Sequence, residues 1–222
     1  MLLAIDSSAG TSAAIVDFAG GILAEASSDD PLKHAEVVGE LIREVLARSG
    51  ASVSALSAVA LGVGPGPFTG LRVGMAAGRA FALGAGIPLA PVVSHDAVAA
   101  SFYGAGADPH AAHPDGASQA DGRLLVTTDA RRREVFWSLY SGADEFGIPI
   151  RIEGPSLAGS DRLSQPSWAP TAHRVDAHAI SAGWLGMVAE RTWAAGRAFP
   201  SADAVYLRSP DVTLSAPKRV TG

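Results

Sequence analysis

The segment richest in chemical potential is Gly64-Pro65-Gly66-Pro67-Phe68-Thr69-Gly70-Leu71-Arg72-Val73-Gly74. It follows a short apolar run and opens onto a helical pattern, a setting in which backbone N–H groups and the helix dipole hold an anion. Neither familiar phosphate loop is matched. A Walker loop needs Gly-Lys-Ser or Gly-Lys-Thr, and a dinucleotide fingerprint read from Gly64 needs glycine where Thr69 stands. The candidates for nucleotide or anion contact are Asp6, Ser7, Ser8, Gly64, Gly66, Thr69, Gly70 and Arg72. The competing reading is a rigid turn, with prolines that fix φ and glycines that permit φ > 0.

Other reactive groups are sparse. Asp6 and Asp129, at strand ends, have the chemistry to coordinate magnesium, but Asp serves turns equally well. His34 starts a helix, yet Val38 stands one turn later, where a metal-binding pair needs a second histidine. His173 and His178 do not share a helical face, and His110 and His113 fall in a loop-like stretch. No Gly-x-Ser-x-Gly elbow occurs, and cysteine is absent, which excludes disulfides and thiolate chemistry. No catalytic residue and no metal ligand is assigned. Arg131-Arg132-Arg133, the one obvious basic run, reads as a solvated turn.

The elements that position these groups follow from periodicity. Leu2–Ile5, Ser12–Phe18 and Ile22–Ser27 read as strands, the first two joined through Asp6-Ser7-Ser8-Ala9-Gly10-Thr11. From Pro31 to Arg48 the pattern is helical, with Val38, Leu41, Ile42, Val45 and Leu46 on one face and Gly50 placed to end it. A strand at Ala58–Val63 leads into the glycine loop, and a helix runs from Thr69, the expected N-cap, to Gly84. Pro88–Val93 reads as a strand, with Ser94 capping a third helix. Ala177–Ala195 is helical in character.

Four segments are expected. Residues 1–103 form an N-terminal half carrying the dimerisation helices, and 104–122 form a flexible linker or loop. Residues 123–208 form a smaller C-terminal half whose last helix is able to pack back on the first, and 209–222 form a mobile tail. The opening pattern recurs after the linker. Leu124–Asp129 matches Leu2–Asp6, and Glu134–Tyr140 matches Ser12–Phe18, which suggests a duplicated fold. Where the first turn offers Ser7, Ser8, Gly10 and Thr11, the second has Arg131, Arg132, Arg133 and Glu134. A phosphate clamp between two lobes is thus filled on one side.

Gly70, Gly74, Gly78 and Ala82 recur every fourth residue. A helical glycine costs about 1 kcal/mol against alanine, so Gly74 and Gly78 together cost about 2 kcal/mol unless a close backbone approach offsets them. Two compensations are open: packing on the chain's own sheet, or a helix-to-helix interface between subunits. The interface reading takes Val38, Leu41, Ile42, Val45, Gly70, Gly74 and Gly78, and on it a bulky residue at Gly74 abolishes association while the fold survives.

Hydrophobic residues make up 48% of the 222 residues and charged residues 18%, enough for a real core. The net charge of −5 makes the chain a poor holder of a polyanion by bulk charge alone. No apolar run reaches membrane-span length, and the N-terminus lacks a secretory pattern, so a cytoplasmic location is expected.

Taken together, Ala4-Ile5-Asp6-Ser7-Ser8, the His34 helix, the Gly64–Gly74 segment, Asp129-Ala130-Arg131 with Glu134-Val135-Phe136-Trp137, and Tyr206-Leu207-Arg208 closely resemble the TsaB (YeaZ) family of bacterial tRNA threonylcarbamoyladenosine biosynthesis proteins. The resemblance implies an α/β actin-like ATPase fold of two duplicated ribonuclease-H-like halves. It also implies a non-catalytic scaffold subunit, a homodimer when alone, pairing through its first two helices. Its implied partners are a TsaD-like catalytic subunit and a TsaE-like ATPase, with tRNA reached through the complex and no membrane involved. No cofactor is expected on this chain alone; ATP or ADP and a divalent metal belong to the partner or a shared interface. The alternative is an independent ATPase or metallo-peptidase of the glycoprotease-like group. Pro67 stands where the family commonly has serine, which removes a hydroxyl and an N–H from the loop.

Overall fold

The computed structural model describes residues 1–28, 30, 34–105, 122–163 and 172–208. Its first half opens with β1 (Leu2–Asp6), β2 (Thr11–Asp17) and β3 (Gly21–Ser28), followed by α1 (His34–Ser49), β4 (Ala58–Gly62), α2 (Phe68–Ala85), β5 (Leu89–Val92) and α3 (Ser94–Ala105). The strands lie in the order β3-β2-β1-β4-β5. The hairpin strands pair antiparallel, with Leu3 opposite Ile15, and β4 joins β1 in parallel, with Leu3 beside Val59. Both faces of β1 are covered, which is why it reads as an unbroken apolar run. Leu3 and Ile5 face α1, whereas Leu2 and Ala4 face a second layer supplied partly by the other half.

That half contains β6 (Leu124–Asp129), β7 (Glu134–Ala143), β8 (Pro149–Gly159), β9 (His173–Asp176) and α4 (Ala182–Ala194), in the sheet order β8-β7-β6-β9. Antiparallel hairpins lead into a parallel strand beside the first one, as in the opening half. The chain is therefore two ribonuclease-H-like halves of actin-like arrangement, the second reduced. Between β8 and β9 the described residues hold only a 3-10 turn at Ser160–Leu163, where the first half has α1. Strands β8 and β9 were not expected; β8 carries Gly154-Pro155 and lacks a clean alternation. The linker residues 106–121 and the tail 209–222 lie outside the described residues.

The halves are joined by exchange of helices. α4 lies on the first sheet, where Leu185 and Val188 meet Leu2, Ala4 and Val16. α3 touches both sheets: Ala97 and Ala100 face the first, while Ala99 meets Leu124, Val126 and Tyr140. Polar contacts reinforce the joint. His95 is fully buried, with Nδ1 2.9 Å from Ser138 Oγ and Nε2 2.9 Å from Thr128 Oγ1. Beside it Tyr140 donates to Asp96 Oδ1 at 2.7 Å. Burial, and then the nearby Arg151, depress the His95 imidazole to about 3, so it stays neutral.

The small-residue stripe of α2 turns inward, and this corrects the interface assignment. A Cβ at Gly74 would overlap Ser7 Oγ, one at Gly70 would come 2.9 Å from His34 Nε2, and one at Gly78 would come 2.6 Å from Leu61 Cδ1. The close approach is to the chain's own β1–β2 turn and sheet. Val38, Leu41 and Val45 are core residues for the same reason, and Ile42 is half-buried against them. Two caps also differ from expectation. Pro67, not Thr69, precedes α2, with no side-chain cap, and the Ser94 hydroxyl is engaged by Asp6 and Gly64.

Two outcomes follow from this packing. Gly74→Val should destabilise the chain by about 1–3 kcal/mol in urea, because the overlap is with a hydrogen-bonded turn. An unchanged midpoint would contradict the inward packing. His95→Gln should cost about 1–3 kcal/mol at neutral pH through imperfect buried bonds. The folded imidazole titrates below the unfolded one, so the wild type loses stability as pH falls from about 6.5 towards 3. The gap to the variant should then narrow by about 1.4 kcal/mol per pH unit. Parallel stability curves would show that His95 titrates normally.

Candidate functional site

The β1–β2 turn and the Gly64–Gly74 segment meet because β1 and β4 are parallel neighbours, so their C-terminal ends lie side by side. That edge is where open α/β sheets bind ligands. Here the chain's own groups occupy much of it. Asp6 Oδ1 accepts from the Ser8 N–H at 2.8 Å and from Ser8 Oγ at 2.5 Å, and Oδ2 accepts from Ser94 Oγ at 2.5 Å. Burial pushes the Asp6 carboxyl above its ordinary range, and these hydrogen bonds offset part of the rise. A Cβ on Gly62 would collide with the same carboxylate. Asp6 therefore braces β1 against α3 and the glycine loop.

Ser7 and Ser8 are equally committed. Ser7 Oγ donates to the Gly70 carbonyl at 2.8 Å and accepts from the Gly74 N–H at 3.0 Å, bolting the turn to the first turns of α2. Gly66 lies directly over Ser8: a Cβ there would be 2.7 Å from Ser8 Cα. Gly64 has φ 95°, a conformation that favours glycine. Of the anion-contact candidates, Asp6, Ser7, Ser8, Gly64, Gly66 and Gly70 are thus brought together and buried, holding one another. Thr69 and Arg72 are exposed on the outer side of α2. His34 bonds Thr11, Nδ1 to Oγ1 at 2.6 Å, and burial lowers its imidazole below the usual range. Asp129 is exposed at the far hairpin and accepts the Arg131 N–H at 2.9 Å. No cluster of three or more His, Cys, Asp or Glu with metal-site geometry occurs among the described residues.

The space that remains lies between the halves. A cleft of about 160 Å³ has Gly66, Pro67 and Phe68 on one side, Arg131 and Arg132 on the other, and Arg208 at its end. The strap that follows α4 crosses its mouth. Val205 N–H donates to the Val63 carbonyl at 2.8 Å, Arg72 Nε donates to Tyr206 Oη at 2.8 Å, and Arg208 donates to the Ala130 carbonyl at 2.7 Å while pairing with Glu134 at 3.3 Å. Sequence reasoning missed the site role of this strap, because residues 201–208 have no periodicity. The Tyr206-Leu207-Arg208 tripeptide was its only signal.

Comparison with known proteins is consistent with this geometry. The family profile described as TsaD, tRNA N6-adenosine threonylcarbamoyltransferase, matches residues 5–146. The Escherichia coli tRNA threonylcarbamoyladenosine biosynthesis protein TsaB is 33% identical over 118 residues, covering 53% of this chain and 45% of that protein. An uncharacterized Mycobacterium leprae protein is 36% identical over 187 residues, 82% of this chain and 45% of its own length. The chain thus spans about half the length of the curated relatives it matches. YeaZ from Pseudomonas aeruginosa superposes with a TM-score of 0.72 at 25% identity, covering 93% of this chain and 99% of that one. With the profile spanning well over half its length and both halves aligned on a YeaZ structure, the chain belongs to the TsaD-type family, within its TsaB/YeaZ group.

Proposed function

We propose that this chain is a non-catalytic activating subunit of the complex that transfers threonylcarbamoyl from its adenylate to N6 of the adenosine beside the tRNA anticodon. Its relatives named for tRNA threonylcarbamoyladenosine biosynthesis support the pathway. The observation that carries the subunit role is the filled clamp. Ser7, Ser8, Gly66 and Asp6 are spent on each other, and His34 is tied to Thr11 with Val38 in the core behind it. Nucleotide and divalent metal then belong to a TsaD-like partner or to a shared interface, with a TsaE-like ATPase completing the assembly.

The docking face on this reading is the outer side of α1 and α2, not the inward stripe. Gly39, Ala76 and Ala80 are exposed there, and Leu83 is 85% exposed. Small residues let another helix approach closely, and an exposed leucine at the rim is a natural anchor. A TsaD-like subunit is the proposed occupant, and a second copy of this chain takes its place when the partner is missing.

The test is reconstitution. Adding this chain to a TsaD-like and a TsaE-like protein should raise modification of unmodified tRNA at least tenfold. Leu83→Glu should abolish co-elution with the catalytic partner while leaving the melting temperature unchanged. Modification that proceeds equally without this chain would refute the subunit role.

A further inference from the structure

Residues 199–208, the strap that follows α4, contain no helix or strand, yet separate anchors fix them. Against the first sheet, the Val205 N–H donates to the Val63 carbonyl at 2.8 Å, and Ala204 and Val205 pack on the small core cluster around Leu71. Against the second half, Arg208 is held by the Ala130 carbonyl and by Glu134. Against α2 the ties come from two arginines of that helix. Arg72 Nε donates to Tyr206 Oη at 2.8 Å, and Arg79 Nη2 donates to the Ala202 carbonyl at 2.5 Å. The Tyr206 ring also lies 5.0 Å from that of Phe68.

Those two arginines stand on the docking face itself. Arg72, Ala76, Arg79 and Leu83 are all exposed and recur every three or four residues, so they share one side of α2, and Ala80 borders it. Between this side and the strap runs an open groove of about 520 Å³, with Arg72, Ala76 and Arg79 on one wall and Asp203, Ala204 and Tyr206 on the other. A helix laid on Ala76 therefore sits beside both ties. α2 carries no acidic residue, and Asp203, the acid in the groove, accepts from Ser201 Oγ at 2.7 Å. The acceptors that the arginines reach on the strap, a phenol and a carbonyl, are neutral. A carboxylate offers them a charge-assisted hydrogen bond roughly twice as strong.

We infer that the strap is a latch released by docking: carboxylates on the partner helix seated along α2 take Arg72 and Arg79 from Tyr206 and Ala202, and the strap loses its hold on that helix. Resting on the docking reading above, this adds what docking does to the rest of the chain. Tyr206 lines both the α2 groove and the cleft between the halves, so its release changes the cleft wall. The Val205 bond and the Arg208 anchors keep the strap attached meanwhile. Coupling of this kind is reciprocal, so whatever frees Arg72 in advance must favour docking. The occupant is the TsaD-like subunit. A second copy that presented the same stripe would bring arginine against arginine.

Affinity for the TsaD-like protein, measured by biolayer interferometry, and hydrogen exchange across 201–208 test the latch. Tyr206→Phe keeps the ring beside Phe68 but removes one acceptor, and should tighten binding about two- to tenfold, the worth of one neutral hydrogen bond. Arg72→Ala with Arg79→Ala breaks the same ties, yet should weaken binding roughly tenfold or more, because the cations themselves are gone. A strap with a merely structural role would move both variants the same way. In the wild type, adding the partner should quicken exchange of the strap amides while slowing exchange along α2. Slower strap exchange on docking, or Tyr206→Phe binding no tighter than the wild type, would overturn the inference. Should the arginine variant fail to fold, the other two measurements decide. Tighter self-association in Tyr206→Phe, with partner binding unmoved, would make a second copy the key to the latch and overturn the partner as its occupant. The two readings separate. Wild-type docking and tRNA modification with an unresponsive strap leave the docking reading standing and the latch wrong, whereas no docking at all removes the docking reading and the latch with it.

Discussion

The structure depends on one close approach, that of the Ser7-Ser8 turn to the Gly64–Gly74 segment. Ser7 Oγ is hydrogen-bonded at both its donor and acceptor sides to the first turns of α2; Gly74 gives it room by lacking a Cβ, as Gly66 does for Ser8. The helical glycines reduce helix propensity by about 1 kcal/mol each, and this packing is the offset. Because the turn ends β1 and the loop ends β4, the contact fixes how α2 leaves the sheet. Asp6 extends the brace to α3 through Ser94, so two helices and the central strand take their positions from one polar knot.

The same knot determines what the sheet edge can do. In an open α/β sheet the C-terminal ends of the parallel strands are the place for ligands, and here that space is largely occupied by the chain's own turn. The open space lies further out, in the cleft between the halves and in the groove beside the strap. The joint between the halves is stiffened by buried groups, among them His95 between Thr128 and Ser138, held neutral by burial.

Much of the architecture was legible in the residues. The β1–β2 hairpin, α1, α2 and the repeat of the hairpin at Leu124 follow from periods of two and 3.6 residues and from turn chemistry. The second half was less legible because β8 mixes exposed isoleucines with Gly154-Pro155, and β9 is four residues long. The anion-contact candidates did converge, since turn and loop residues at adjacent strand ends must meet. Their mutual satisfaction was not legible, because spacing does not reveal whether two donors face a ligand or each other.

The sequence by itself determined the element types of the first half, the duplicated plan and the need for a close approach along Gly70, Gly74 and Gly78, since each is written in local periodicity or in the absence of a side chain. Tertiary structure alone decided which surface makes that approach. A four-residue stripe has the same period whether it meets its own Ser7 or another subunit, and only the packing of α2 on β1 and β4 distinguishes them. It likewise decided that Arg131, Arg132 and Arg208 line the cleft beside the glycine loop while Arg72 and Arg79 line a separate groove along α2, because the strap that brings Tyr206 to both has no signature except its path.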